Sequence, residues 1–76
     1  MPYRVDLASQ VEEALVELPE RGRSEVMELI ATALVRRESW PAPGGWDAAT
    51  LFGPRSWITF AAYLDGIDLL DVGWTG

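Results

Sequence analysis

Four groups of side chains in this sequence are of types that can do chemistry or recognition. Asp65, Asp68 and Asp71 are closely spaced carboxylates, the donors used to hold a divalent metal or to move a proton. Arg4 and Arg55 would make an anion site if strands brought them together, and are otherwise two solvated surface arginines. Tyr63 offers a phenol for catalysis, or simply fills a strand position in the core or on a sheet face. Trp40, Trp46 and Trp74 lie in a loop or near the end of the chain. Large aromatics in such places either tuck over a small core or stand out as anchors for a partner.

The elements needed to position these groups follow from periodicity. Residues 3–7 alternate, with Tyr3, Val5 and Leu7 on one face of a strand and Arg4 and Asp6 on the other. Ser9 and Glu12 have the spacing of a capping box, and Val11, Ala14, Leu15 and Leu18 recur at helical spacing up to Pro19. Val26, Leu29, Ile30, Ala33 and Leu34 make a second helical stripe, reaching about Arg37 or Glu38. Gly22 is a weak point there, since Gly costs about 1 kcal/mol against Ala inside a helix. Arg21, Arg23, Arg36 and Arg37 are interleaved with Glu20, Glu25, Glu28 and Glu38, so pairing between residues four apart accounts for them. Residues 39–48, with two prolines and the adjacent Gly44-Gly45, form a loop.

The rest of the chain reads as strands. Thr50-Leu51-Phe52 is short, and residues 57–64 are rich in aromatic and β-branched residues. Asp65-Gly66 marks a hairpin whose turn calls for positive φ, and residues 67–74 return. An odd spacing between Asp68 and Asp71 points them to opposite faces of a regular strand, so no metal site is expected. No cofactor is expected either. The order is β-α-α-β-β-β in a single domain over residues 1–76. That is an α+β fold: a small, twisted, mostly antiparallel sheet with a two-helix hairpin on one face.

Composition narrows the function. The 76 residues carry net charge −6, from 6 basic and 12 acidic side chains, and contain no Cys and no His. Every basic residue is Arg. The usual thiolate and imidazole chemistries are therefore absent. Such an acidic chain is not expected to bind nucleic acid directly. Its 49% apolar content is that of a folded chain. No stretch suggests a membrane span, and Met1 to Asp6 lacks the apolar region of a secretory signal, so a cytoplasmic location is expected.

Taken in order, these motifs resemble the RelE/ParE toxin superfamily, as a diverged member. The resemblance covers nearly the whole chain. It rests on the first strand, the helix ending Leu18-Pro19, the second helix with its Glu and Arg opening, and the Pro/Gly loop. Leu51-Phe52-Gly53 is similar to the family's short L-x-G strand, and residues 57–63 to its central Y-R-V-x-Y strand. The resemblance implies a toxin-antitoxin protein, either held by an antitoxin peptide or cleaving ribosome-bound mRNA. For a nuclease, Arg4, Arg55 and Tyr63 are the candidate residues. However, Thr59 and Ala61 stand where the family often has Arg, and residues 56–76 hold three Asp and no basic residue. Cleaving RNA needs groups that stabilise developing negative charge. The expected function is therefore protein–protein binding without nuclease activity. The partner would be an antitoxin or another protein, docking on the open sheet face framed by Trp40, Trp46 and Trp74. The alternatives are the endonuclease and a homodimeric domain completed by self-association.

Overall fold

The computed structural model describes residues 3–44 and 46–76. The readings placed on Met1, Pro2 and Gly45 lie outside them. The elements run β1 (Arg4–Leu7), α1 (Ser9–Glu17), α2 (Glu20–Val35), a 3₁₀ turn (Arg37–Ser39), β2 (Ala49–Phe52), β3 (Ser56–Tyr63) and β4 (Gly66–Trp74). The strands form a single sheet in the order β1-β4-β3-β2. The β2–β3 and β3–β4 pairs are antiparallel. β1 pairs with β4 in parallel, which the helix pair between them makes possible. The sheet is thus mixed, with β1 and β2 as its two edges.

One face of the sheet is covered by the helices. Val26, Ile30 and Ala33 of α2 and Val11 of α1 are buried against Ile58, Phe60, Ala62, Ile67, Leu69 and Val72. Phe60 is the largest fully buried side chain. The apolar stripes read from the sequence are the ones that face this core.

Four local expectations are corrected. α1 starts at Ser9 itself and its N-cap is Ala8, with no side-chain cap, so the capping box is not formed. Gly22 is not a defect but is buried, for a reason given below. The hairpin turn falls on Leu64 and Asp65, and Gly44 is the one described residue with positive φ. Gly66 is instead required by close approach, because an added Cβ would collide with the Arg4 carbonyl on the neighbouring strand.

The fourth correction concerns β4. Its register against β3 shifts by one, so that Phe60 pairs with Leu69 but Thr59 with Asp71. Leu70 is the extra residue of a β-bulge. Leu69 and Val72 both face the core as a result, though three residues apart. Asp68 pairs with Ala61 and Asp71 with Thr59, so both Asp residues face the open side, not opposite sides.

Candidate functional site

The uncovered face of the sheet is built from alternate residues of each strand. β1 supplies Arg4 and Asp6, β4 supplies Asp68 and Asp71, β3 supplies Trp57, Thr59 and Tyr63, and β2 supplies Thr50 and Phe52. Thr50 and Thr59 are joined by a hydroxyl hydrogen bond of 3.1 Å. The Trp57 indole lies over Gly73, the residue opposite it, and any side chain there would collide with the ring. Phe52 ends the β2 edge and is 76% exposed.

Among the described residues Arg4 is the one cation of this face, and carboxylates surround it. Its guanidinium donates to Asp65 at 3.1 and 3.2 Å, to Asp68 at 2.9 Å and to Asp6. It also sits over the Tyr63 ring, 5.5 Å from the centroid. The hydrogen bond from Arg4 holds the Asp65 carboxyl below its ordinary range. In turn, the bonds to Asp65 and Asp68 hold the guanidinium proton more tightly than usual. Parallel pairing of β1 with β4 assembles this cluster, since it sets Arg4 beside Gly66 and Asp6 beside Asp68.

Arg55 is elsewhere. It precedes β3, whereas Tyr63 ends it, and eight strand residues span roughly 26 Å. Of the two readings of this pair, the joint anion site is therefore not assembled, and Arg4 meets Tyr63 without Arg55. Among the described residues, no cluster of three or more potential metal ligands occurs.

The Trp residues sit at three different places. The Trp40 indole donates to the Ala33 carbonyl at 2.6 Å, packs against the core and meets the Tyr3 ring edge-on at 5.3 Å. Trp74 lies at the other end of α2, where its indole donates to Glu25 Oε2 at 3.0 Å and rests on Gly22. Gly22 and Ala33 are eleven residues apart on α2, about 16 Å. Trp46 stands free at 94% exposure in the loop leading into β2.

Glu25 was not singled out from the sequence. Besides Trp74, it accepts the Arg55 backbone N–H at 2.8 Å and the Ser56 hydroxyl at 3.1 Å. These bonds, the one from Arg55 first, hold its carboxyl below the ordinary range. Only the three-dimensional pairing of α2 with the start of β3 and the end of β4 reveals the arrangement.

The helix arginines also depart from the expected pairing. Arg23 donates to the Leu15 and Leu18 carbonyls at 3.0 and 3.1 Å, closing the C-terminal end of α1. Arg37 lies over the Tyr3 and Trp40 rings at 4.8 and 4.9 Å. Arg36 pairs with Glu38 at 3.5 Å. Among the described residues none of these forms the four-apart helix pair.

No family model and no curated protein matches the chain. A solved structure does. It is an arginine-to-alanine double mutant of the E. coli toxin RelE in the free state, matched with a TM-score of 0.72 over 97% of this chain and 84% of that one. The fold is that of the RelE toxin. Sequence identity is 15%, so the RelE-like architecture is retained on largely different side chains.

Proposed function

We propose that this RelE-like chain is a toxin-family protein of a toxin-antitoxin system that works by binding another protein, an antitoxin or other partner, and does not cleave RNA. One observation carries this reading: Arg4, the cation of the open face, is engaged by Asp65, Asp68 and Asp6. A guanidinium so compensated offers little to a phosphate whose charge grows in a transition state. Asp71 on the same face adds further repulsion. The cation over the Tyr63 ring is this same neutralised Arg4.

Protein docking suits the same face better. Phe52 and Trp46 present apolar surface at either end of β2, and β2 is an edge strand to which an extended segment could be added. Trp40 and Trp74 are held on the helix side of the sheet by Ala33 and Glu25, so of the three tryptophans expected to frame the open face these two do not. The protein would act in the cytoplasm.

The experiment is co-expression with the product of each flanking reading frame. A stoichiometric complex is expected, and Trp46→Ser with Phe52→Ser should disrupt it. No complex, together with cleaved mRNA in the same cells, would overturn the reading. A concentration-dependent dimer lost in the same double variant would favour self-association instead.

A further inference from the structure

The two edges of the sheet differ in how they meet solvent. β1 carries Arg4 and Asp6, charged side chains of the kind that keep an edge from pairing with another chain. β2 is Ala49-Thr50-Leu51-Phe52, with no charged residue. Its pairing decides which backbone groups are spent. The Gly53 N–H donates to the Ser56 carbonyl at 2.8 Å. In an antiparallel ladder Leu51 and Ala49 then bond to β3 as well, and Thr50 and Phe52 turn their N–H and C=O groups outward. Both side chains are exposed, Phe52 at 76%.

This edge is complementary to itself. Two β2 strands set antiparallel about Leu51 place Thr50 opposite the partner's Phe52, and the outward groups of each pair exchange hydrogen bonds. Leu51, half-buried on the helix side, meets the partner's Leu51 at the closer, non-bonded position. The same register, carried past the strand ends, sets Asp47 opposite the partner's Arg55 and, by symmetry, Arg55 opposite the partner's Asp47. Asp47 and Arg55 are exposed, and neither makes an ion pair among the described residues. Arg55 acts on Glu25 through space, but Glu25 already accepts from Trp74, Ser56 and the Arg55 N–H. Pro54 has no N–H to offer, so the pairing ends there. The net charge of −6 does not oppose it strongly. Asp6, Asp68 and Asp71 lie two or three strands away from β2, roughly 10 Å or more. That exceeds the screening length of about 8 Å at physiological salt.

We propose that a second copy of this chain occupies the β2 edge when no other partner does, the two β2 strands pairing antiparallel about Leu51 into one continuous sheet. The inference goes beyond the protein-binding function above: a partner's extended segment would compete with the second copy for the outward N–H groups of Thr50 and Phe52. A four-residue strand makes a small contact, so the dimer is weak and depends on concentration.

The test uses the purified full chain alone, so its outcome does not depend on whether a flanking gene product forms a complex. Sedimentation velocity from about 5 μM to about 1 mM should show a monomer giving way to a dimer, with Kd about 0.1 mM or tighter. Over the same range, amide exchange at Thr50 and Phe52 should slow about threefold or more, and exchange at Val5 and Leu7 of β1 should not change. Thr50→Pro removes an outward N–H and keeps the backbone bonds to β3, so it should abolish the dimer with the far-ultraviolet dichroism unchanged. Phe52→Lys, which puts a charge on the edge, should do the same and is an independent check. Asp47→Arg and Arg55→Asp each set like charges across both ends of the interface, and each should weaken the dimer about fivefold or more. An equimolar mixture of those two variants restores opposite charges at both ends and should dimerise like the natural chain. A monomer throughout the range would overturn the proposal. So would a dimer that Thr50→Pro and Phe52→Lys leave intact, protection at Val5 or Leu7 instead, or a mixture of the charge variants that associates no better than either alone.

Discussion

The indole of Trp74 rests on Gly22, and a Cβ added at Gly22 would lie 2.7 Å from Trp74 Cδ2. Two opposing effects meet at this helix position. Propensity favours Ala over Gly by about 1 kcal/mol. Forcing a methyl against a ring held by Glu25 costs about 1–3 kcal/mol. The steric effect should win, so Gly22→Ala is expected to destabilise the chain in urea unfolding. In a Trp74→Ala background the ring is gone and the sign should reverse, with Gly22→Ala stabilising. That reversal measures the coupling directly.

Glu25 makes the same junction sensitive to acid. Its folded-state carboxyl lies below the ordinary glutamate range, chiefly through the Arg55 N–H, with Trp74 and Ser56 adding to it. A depressed carboxyl contributes stability that is present above the unfolded-state value and is lost as pH falls through the folded one. Asp65, held low by Arg4, acts in the same direction. Thermal unfolding should therefore be flat near neutrality and drop below about pH 4.5. Glu25→Gln should lower the plateau and flatten the acid limb. An unchanged acid limb in that variant would show that Glu25 is not part of the linkage.

The bulge at Leu70 gives a prediction about length. Leu69 and Val72 share the core face only because one extra residue separates them. Deleting Leu70 would leave Leu69, Asp71 and Val72 in regular alternation with every facing preserved. The melting temperature should change little, within the few degrees that correspond to about 1 kcal/mol. Deleting Thr59 from β3, whose facing depends on strict alternation, should abolish folding, since it turns one half of the strand over.

Much of the fold was legible in the chain because local periodicity and the element order agree with it. Val26, Ile30 and Ala33 recur at helical spacing and are the residues that α2 buries. What escaped depends on pairs distant in sequence. Gly66 looked like a turn residue, but its requirement comes from Arg4, brought alongside by the parallel pairing of β1 with β4. Asp68 and Asp71 looked divergent because a bulge cannot be read from spacing. Glu25 and Arg23 looked like ordinary helix charges, and both bond across elements instead. The sequence left the tryptophans either tucked or exposed; Trp46 is exposed, and the engagement of Trp40 and Trp74 at opposite ends of α2 depends on contacts that spacing does not show.

The neutralisation of Arg4 has its own consequence. Asp65→Asn with Asp68→Asn would remove two of the carboxylates that hold it and leave the guanidinium partly free. Affinity for a short single-stranded RNA at low salt should then rise, by about threefold or more, and fall again with added salt. Fluorescence anisotropy of a labelled oligonucleotide reads the change.

On the proposed function, the open face performs no RNA chemistry. The most direct test is to incubate the purified chain with ribosomes engaged on a defined mRNA and to map the mRNA ends by primer extension. The account predicts full-length mRNA at all protein concentrations, for the natural chain and for Arg4→Ala and Tyr63→Phe alike. Cleavage of the ribosome-bound mRNA by the natural chain, lost in Arg4→Ala or Tyr63→Phe, would contradict it.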